Sequence, residues 1–575
     1  MGIRETPVDL LSHDILIIGG GLAGLRAAIT AAEAGCSVAL VSKVYPMRSH
    51  TVSAEGGAAA VVRGDTGDSL ELHAFDTIKG SDYVADQDVV EYFVSEAANE
   101  LIQLEHWGCP WSREPDGTVS VRAFGGMSVN RTLFAADKSG FHMLHAIFQN
   151  TLRYERIVRY DEHFATRLLV HDGVCRGVVA LDLRSGEFRA FTARATILAT
   201  GGCGRLWSFT TNGFINTGDG HALAYRAGAP LSDMEFPQYH PTGLPGTGIL
   251  ITEAARGEGG YLINKNGDRF LSDYVPSRME LGPRDIISRA MMTEFEAGRG
   301  IRGHYGEYMH LDLRHLGEER INRKLPFVRE LAESYVGIDP VKEPIPVRPV
   351  VHYMMGGVRC DIDGATSLPG LYACGECAQE GLNGANRLGS NSLTECLVFG
   401  HRTGKAAARY ASETPGGAGA LEGQAADEER RIASRFFEDN GGSERVGLLR
   451  AELQDAMERN VGVFRTLEGL EAAAEDVRTL KDRFKRVRLD DRSKVFNTEL
   501  TGALELENML DLAESVVMPA ILRNESRGSQ ARRDYPDRDD QRFLAHSLEY
   551  WTPDGPRVEW QEAVITKWEP EERKY

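Results

Sequence analysis

Short apolar runs and glycine-rich segments alternate along the first forty residues. The run Asp14–Ile18 is apolar, and the glycine-rich segment Gly19–Gly24 follows it at once. Leu25–Ala34 is rich in alanine and has a helical pattern, and Ser37–Val41 is a second apolar run. This order predicts a strand, a helix and a second strand, with the glycines where a helix N-terminus meets a pyrophosphate. We therefore predict a dinucleotide-binding unit. Its motif glycines are Gly19, Gly21 and Gly24.

The acidic residue that usually holds a ribose hydroxyl is missing from this unit. In NAD-binding proteins it lies about 20 residues beyond the glycines. Here Ser42 and Lys43 stand at the end of the second strand instead. Their presence weakens the prediction that the dinucleotide is NAD.

Strand-then-glycine patterns return later in the chain, separated by a region of different character. Ala195–Ala199 and Leu371–Glu376 each combine an apolar run with glycine, and Ser392–Tyr410 is predicted to be a helix. Between about residues 240 and 349 the sequence mixes loops, helices and Gly/Pro turns. A nucleotide-binding domain at 1–239 and 350–415, interrupted by a second domain at 240–349, is the simplest organisation.

The last third of the chain has helical periodicity. Ser412–Gly423 is rich in Gly, Ala and Pro and is predicted to be a linker. Apolar residues from Leu467 to Val487 keep i, i+3, i+4 spacing, which is typical of the core of a small helical domain. We predict a helical domain at 416–545 and a C-terminal segment at 546–575.

Composition and charge exclude several classes of protein. The 575 residues carry 65 Lys+Arg against 84 Asp+Glu, a formal net charge of −19, which argues against binding along a phosphate backbone. The eight cysteines are scattered, so we expect a reducing, intracellular compartment and no cleaved leader before Leu10. Cys374 and Cys377 have no second pair at the spacing of a zinc or iron–sulfur site, so we predict no metal. The uncharged stretch Phe236–Thr252 contains three prolines and cannot be a membrane helix, so any membrane attachment requires a partner.

Three groups of polar residues could carry chemistry. His50 precedes the paired glycines Gly56 and Gly57, close to the nucleotide-binding unit. The second group is His240, Thr252, Glu253 and Arg256, and the third is Arg284, His352, Arg387, Ser390, Asn391 and Ser392. Arginines and histidines among glycines suit an anionic substrate, since guanidinium matches a carboxylate. Taken one at a time, each of these residues is more often structural than functional.

Long motifs identify a family resemblance. They run from the N-terminus past residue 540, and the chain resembles the flavoprotein subunit of the succinate dehydrogenase / fumarate reductase family, most of all its quinol-linked fumarate reductase branch. The matching segments are Gly19–Gly24, Ser42–Thr51, Trp107–Trp111, Phe124–Met127, Phe134–Lys138, His240–Gly246, Met279–Asp285, His352–Gly357, Gly384–Leu393 and Asn524–Gly528.

The resemblance implies an α/β fold: a Rossmann-like FAD-binding domain interrupted by an α+β capping domain and followed by a helical domain. It also implies FAD attached covalently through His50. Ser42 and Lys43 then replace the acidic ribose partner. The further implied FAD contacts are Ser49, Thr51, Gly56, Gly57, Asp219, Glu376, Arg387, Ser390, Asn391, Ser392 and Leu393.

The resemblance assigns a dicarboxylate site between the flavin domain and the capping domain. It implies that Arg387, His240, His352 and Thr252 hold the carboxylates and that Phe124 packs nearby. Arg284 matches the family's proton donor, with Glu253 and Arg256 as the relay behind it. The implied reaction interconverts succinate and fumarate.

Implied partners are an iron–sulfur subunit and membrane anchor subunits with a quinone site, on the cytoplasmic side of the inner membrane. Glu55 stands where fumarate reductases of the family have Glu, which predicts a low-potential quinone such as menaquinone. Gln530 departs from the family, which often has His there, and puts only local contacts in doubt.

Two alternatives remain at this point. A soluble L-aspartate oxidase shares the fold but lacks a histidine at the position of His50. A non-catalytic flavin-binding or assembly protein would have no reason to keep Arg284, Glu253, Arg256 and Arg387 together.

Overall fold

The computed structural model describes residues 9–415, 421–438 and 441–575. Its strands are β1 (Asp9–Ser12), β2 (Ile15–Ile18), β3 (Val38–Ser42), β4 (Ala58–Ala59), β5 (Val121–Arg122), β6 (Thr132–Leu133), β7 (Ile157–Asp161), β8 (His163–His171), β9 (Val174–Asp182), β10 (Glu187–Thr192), β11 (Ala195–Leu198), β12 (Leu231–Ser232), β13 (Pro237–Gly243), β14 (Tyr261–Ile263), β15 (Ile301–Gly303), β16 (Gly306–Asp312), β17 (Ile345–Met354), β18 (Gly357–Arg359), β19 (Leu371–Ala373), β20 (Ala378–Gln379), β21 (Ala545–Tyr550) and β22 (Arg557–Glu562).

Its helices are α1 (Leu22–Glu33), α2 (Leu70–Gly80), α3 (Gln87–His106), α4 (Ser139–Thr151), α5 (Asp219–Arg226), α6 (Ala254–Gly257), α7 (Arg284–Glu296), α8 (Glu318–Lys324), α9 (Pro326–Val336), α10 (Asn391–Glu413), α11 (Leu421–Phe436), α12 (Val446–Asn460), α13 (Leu467–Phe484), α14 (Thr498–Leu522) and α15 (Asp540–Phe543).

A parallel sheet of order β19-β11-β2-β3-β7 forms the centre of the nucleotide-binding region. Helix α1 connects β2 to β3 and packs against α10, which ends the same region. The approach is close: a Cβ built on Gly400 of α10 would lie 2.7 Å from the carbonyl oxygen of Ala23. The mixed α/β class with a C-terminal helical region is the predicted one.

The α1 helix begins earlier than the sequence pattern suggests. It starts at Leu22 rather than Leu25. The residue before it is Gly21, which has no side chain that could cap the first turn. The last motif glycine is therefore already helical, because Gly24 packs on the turn of Gly19 and leaves no space for a side chain. The N-terminus of α1, with its first N–H groups, therefore lies inside the glycine motif.

Residues 240–349 have a sheet and a core of their own. The sheet runs β13-β17-β16-β14, and α7 and α9 contribute to the same apolar cluster. The predicted limits at 239/240 and 349/350 fall inside the paired strands β13 and β17. Continuous β-structure thus joins this region, called the capping region below, to the nucleotide-binding region.

The end of the chain returns to the body of the molecule. Helices α11–α14 form the helical region, and β21 pairs with β12, so that Leu231 lies opposite Glu549. The predicted linker Ser412–Gly423 overlaps the end of α10 and the start of α11, and residues 416–420 lie outside the described residues. On β21, the buried His546 bonds Asp233 and Asp86 at 2.6 and 3.1 Å, which ties this strand to the nucleotide-binding region.

Candidate active site

A two-stranded antiparallel ribbon, β13 with β17, brings the first site residues together. Gln238 and His240 lie on β13, and the register places Gln238 opposite Tyr353. The ring centroids of His240 and His352 are 5.1 Å apart; His240 is buried and His352 is partly buried. Because side chains alternate along a strand, Gln238 and His240 face the same side, while the hydroxyl of Tyr239 reaches Val461 in the helical region.

A line of charged groups approaches the two histidines from the capping region. Arg284, the first residue of α7, donates from Nε to Oε2 of Glu253 at 2.8 Å, and Nη2 of Arg256 is 3.5 Å from the same oxygen. The other oxygen of Glu253 accepts from the backbone N–H of Gly125 at 2.5 Å. Burial alone would raise the pKa of Glu253, but Arg284 and Arg256 outweigh it and lower the pKa. The carboxylate is therefore ionised between two arginines.

Gln238 joins this line to Arg387, which comes from the loop before α10. Its Oε1 accepts from Nη1 of Arg284 at 2.8 Å and from Nη2 of Arg387 at 3.1 Å. Its Nε2 donates to Oδ1 of Asn386 at 3.0 Å and to the carbonyl of Arg387 at 2.8 Å. One amide thus fixes two guanidinium groups from different regions. Gln238 was not predicted from the sequence, although it stands two residues before His240, on the same strand and therefore on the same face.

The pocket is positively charged. Arg256, Arg284 and Arg387 against Glu253 give a formal charge of 3 − 1 = +2, and each of the four is at most 6% exposed. Burial and then the charge of Arg284 lower the pKa of His240 and of His352 well below the ordinary value, so both imidazoles are neutral. Burial and Arg284 also lower the pKa of Arg387 to about 10. A charge of +2 with neutral donors beside it suits a small dianion.

Phe124 and Thr252 close the same space. A Cβ built on Gly56 would lie 2.8 Å from Cζ of Phe124 and 4.0 Å from Oγ1 of Thr252. One built on Gly389 would lie 3.0 Å from the Phe124 ring and 3.5 Å from Nη2 of Arg284. The substrate residues predicted from sequence are therefore all brought together here.

An elongated cavity of about 590 Å³ adjoins this pocket and shares His352 and Arg387 with it. Twelve predicted cofactor residues line it: Gly19, Gly21, Ser42, Lys43, Ser49, His50, Thr51, Asp219, Glu376, Arg387, Ser392 and Leu393.

The glycine motif fits a dinucleotide. Gly19 has φ +116°, and a Cβ there would lie 2.1 Å from the carbonyl oxygen of Ala199. A Cβ on Gly24 would lie 2.0 Å from the carbonyl oxygen of Gly19. Only glycine fits at either position. The N-terminus of α1 opens onto the cavity, where the N–H of Leu22 donates to Oγ1 of Thr51 at 3.3 Å, and a helix N-terminus is a favourable place for a pyrophosphate.

Lys43 stands at one end of the cavity and is already paired. Its Nζ lies 2.7 Å from Oδ2 of Asp219 and 2.9 Å from Oε1 of Glu505 on α14. Burial lowers the pKa of Lys43, but the two carboxylates outweigh burial and raise it. Lys43 and Asp219, each predicted separately to contact the cofactor, are therefore paired with each other, and Glu505 of the helical region supports the pair.

Three titratable groups along the cavity have shifted pKa values. Burial and the charge of Arg205 lower the pKa of His50 to about 4, and Nδ1 of its neutral ring accepts from the N–H of Gly213 at 3.4 Å. Burial raises the pKa of Glu376 to about 7 and that of Glu55 well above its ordinary value. Glu376 accepts from the N–H of Met354 at 3.0 Å.

Five predicted cofactor residues do not line the cavity: Gly24, Gly56, Gly57, Ser390 and Asn391. Ser390 turns the chain into α10 with φ +66°. The side chain of Asn391 is held by His73 and Thr77, each at 3.1 Å, and points away from the cavity. These residues shape the wall from behind.

Within the described ranges, no group of three or more His, Cys, Asp or Glu side chains is arranged as a metal site. In the same part of the chain, no helix combines the length and the apolar character needed to cross a membrane.

Comparison with known proteins yields consistent matches. Residues 14–393 match a family model described as an FAD binding domain, and residues 450–575 match one described as the fumarate reductase flavoprotein C-terminal region. The fumarate reductase flavoprotein subunit of Mycobacterium tuberculosis (strain CDC 1551 / Oshkosh) is 56% identical over 579 residues, covering 98% of this chain and 99% of the relative.

Solved structures are equally similar. A mutant of E. coli quinol fumarate reductase superposes with a TM-score of 0.96 at 49% identity, covering 98% of this chain and 99% of the other. A quinol-fumarate reductase with menaquinol molecules gives a TM-score of 0.94 at 49% identity, covering 98% and 100%.

Proposed function

This chain belongs to the flavoprotein family of fumarate reductases and succinate dehydrogenases, and we propose on that premise that it interconverts succinate and fumarate. The charge of the pocket supports this reaction most directly. Three buried arginines and one glutamate give a formal charge of +2, which matches a dicarboxylate dianion, beside a cavity lined by the FAD-binding motif. When bound, FAD supplies the hydride acceptor for succinate oxidation and the hydride donor for fumarate reduction.

Arg387, His240, His352 and Thr252 hold the two carboxylates. Among the residues that the structure describes, no carboxylate lies within salt-bridge distance of Arg387. Its guanidinium donates to the neutral amide of Gln238, so its charge remains available for a substrate. The neutral histidines can donate hydrogen bonds without adding charge. Fixed donors at both ends orient the substrate, and Phe124 limits the space beside it.

Arg284 supplies the proton that completes fumarate reduction, while the hydride reaches the other carbon. A guanidinium seldom loses a proton because its ordinary pKa is above 12. Here Glu253 bonds Arg284 at 2.8 Å, and Arg256 lies 3.5 Å behind Glu253. In fumarate reduction the relay returns a proton to Arg284 after each transfer. In succinate oxidation Arg284 accepts the proton from the substrate, and the relay carries a proton away.

FAD is proposed to be attached covalently through His50. The histidine lines the cavity, and burial keeps its imidazole neutral at pH 7, the form that can make a bond through nitrogen. Ser42, Lys43, Ser49, Thr51, Asp219, Glu376, Ser392 and Leu393 are proposed to contact the bound FAD. Gly24, Gly56, Gly57, Ser390 and Asn391 are proposed to shape its site from behind.

The electrons are proposed to pass to and from an iron–sulfur subunit, and through membrane anchor subunits to a quinone. In this arrangement the chain lies on the cytoplasmic side of the inner membrane. Pairing with a low-potential quinone such as menaquinone is proposed from Glu55 by resemblance. Burial raises the pKa of Glu55 well above its ordinary value, which favours the neutral carboxyl over a negative charge beside the flavin.

Turnover tests the proposed function. The purified chain loaded with FAD should oxidise succinate with a soluble dye and reduce fumarate with a reduced dye. L-Aspartate is the control substrate, because an aspartate oxidase shares the fold. Oxidation of L-aspartate without turnover of succinate would refute the proposal.

A further inference from the structure

The segment between β6 and α4 makes an unusual contact with the capping region. Asp137 is 1% exposed, and its Oδ2 accepts from the backbone N–H groups of Phe327 and Val328 at 2.7 and 3.3 Å. Those two N–H groups belong to the first turn of α9, which lacks partners within its own helix. The residue before α9, Leu325, offers no side-chain oxygen. A carboxylate about 190 residues away in sequence therefore takes the place of the local capping residue.

Other side chains reinforce the same contact. Nζ of Lys138 lies 4.2 Å from the ring centroid of Phe327. In return, Nζ of Lys324, at the end of α8, lies 5.6 Å from the ring of Phe134. Each region thus presents a lysine to an aromatic ring of the other. Lys138 also pairs with Glu330 at 3.5 Å, but both side chains are exposed and this pair contributes little.

Helix α9 forms part of the wall of the cavity of about 590 Å³ that adjoins the dicarboxylate pocket. Phe327, Leu331 and Tyr335 line the cavity from the capping side. A shift of α9 would therefore change the shape of the cavity directly. The Asp137 contact fixes the end of the helix that carries Phe327.

The other side of the same segment holds the loop that carries His50. Oγ of Ser139 donates to the carbonyl of Glu55 at 3.2 Å, and the N–H of Gly140 donates to the carbonyl of Ala54 at 2.7 Å. A Cβ at Gly140 would lie 2.1 Å from the carbonyl oxygen of Thr51. Residues 137–140 therefore bond the capping helix at one end and the His50–Glu55 loop at the other.

We propose that Asp137 is a positioning residue that holds the capping region closed over the dicarboxylate pocket, in register with the His50 loop. The inference rests on the proposed function, because the pocket needs groups from both regions. His352 and Arg387 stand on the nucleotide-binding side, and Arg284 stands in the capping region. Only the closed arrangement brings them within reach of one substrate.

Removal of the carboxylate should weaken closure rather than chemistry. The loss of an N-terminal helix cap typically changes an equilibrium roughly fivefold. Apparent substrate affinity falls with the closed fraction, whereas saturating substrate draws the pocket closed again. Asp137→Ala should therefore raise KM for succinate and fumarate roughly fivefold and change kcat less than twofold. Asp137→Asn keeps a carbonyl acceptor and should lie between Asp137→Ala and the unmodified protein.

The experiment uses the full chain loaded with FAD and combines kinetics with amide hydrogen exchange. In Asp137→Ala, the amide hydrogens of residues 326–336 should exchange faster. Malonate, a dicarboxylate that can occupy the pocket, should slow that exchange again. Glu330→Gln is the matched control: it removes the exposed pair with Lys138, and KM and exchange should not change. An unchanged KM in both Asp137 variants, or faster exchange spread over the whole chain, would overturn the proposal.

The two hypotheses fail in different ways. If the unmodified protein does not turn over succinate or fumarate, the proposed function is wrong, whatever Asp137 does. If it turns them over and exchange at 326–336 ignores Asp137→Ala, closure by Asp137 is wrong. If Asp137→Ala does not fold, Asp137→Asn decides by the same two measurements.

Discussion

Gln238 provides the sharpest test of the active-site geometry. Its Oε1 is the shared acceptor for Arg284 at 2.8 Å and Arg387 at 3.1 Å, and its side chain is fully buried. Gln238→Leu keeps a similar volume but removes the acceptor. Both guanidinium groups would then lose a hydrogen bond and the constraint that aligns them.

The magnitude follows from the three hydrogen bonds that Oε1 accepts, one from Arg284 and two from Arg387. A buried hydrogen bond to a charged group contributes about 1.5–3 kcal/mol, and the three contributions do not add fully because they share one oxygen. A combined loss of about 3 kcal/mol corresponds to a decrease in kcat/KM of roughly a hundredfold. Since Arg387 binds and Arg284 transfers a proton, both KM and kcat should change. Gln238→Glu should weaken dianion binding as well, because it lowers the pocket charge from +2 to +1.

The assay is dye-linked turnover in both directions, with dicarboxylate binding followed by the flavin absorbance. Gln379→Leu is a matched control: Gln379 is also buried and bonds Asp233 at 2.5 Å, far from the substrate groups. That variant should lower stability and spare kcat/KM. A folded Gln238→Leu protein with kcat/KM within threefold of the original would refute the reasoning.

Four further predictions concern single side chains. Arg284→Lys should lower kcat and kcat/KM together by orders of magnitude, and a change in KM alone would make Arg284 a binding residue. His50→Ser should keep FAD bound but abolish the fluorescent band at full-length mass on an acid denaturing gel. The rate of succinate oxidation should fall more than that of fumarate reduction. Complete release of flavin by the unmodified protein on the same gel would contradict covalent attachment. The pKa of His546 is raised to about 9 despite its burial, because Asp233 and Asp86 favour the charged form. Charged His546 therefore stabilises the folded protein by about 3 kcal/mol below pH 6.5, and this contribution is lost as the pH rises through 9. Denaturant unfolding across this range should show that loss in the unmodified protein and not in His546→Gln. Burial raises the pKa of Glu55 and so favours its neutral form. Glu55→Gln should therefore change the flavin potential less than the loss of a full negative charge would, and a large rise in the potential would contradict this expectation.

The sequence predicts the parts of the site that are local in the chain. The glycine motif is a single turn of the chain, so its backbone geometry can be predicted from Gly19 and Gly24 alone. The predicted start of α1 was wrong by three residues. Glycine is a poor helix former, and the sequence pattern does not show the tertiary packing that makes Gly24 helical. The family motifs predicted Arg284, Glu253 and Arg256 as one relay, but not the amide of Gln238 that joins Arg284 to Arg387.

What the sequence could not predict depends on distant partners. Gln238 acquires its role from arginines 46 and 149 residues further along the chain. Glu505, on α14, reaches Lys43 across 462 residues. On β21, which pairs with β12, the buried His546 likewise bonds partners 313 and 460 residues away. None of these separations leaves a periodic signal in the sequence.

The reaction requires groups that the chain supplies from two sides. Arg387 and His352 reach the pocket from the nucleotide-binding side, while Arg284, Glu253 and Arg256 reach it from the capping region. Gln238 bonds one arginine from each side, so its oxygen aligns the substrate anchor with the proton donor. Asp137 bonds the capping helix, and its neighbours Ser139 and Gly140 bond the His50 loop. If closure and chemistry are separable, changes at Asp137 should appear mainly in KM and those at Arg284 mainly in kcat, while changes at Gln238 should appear in both.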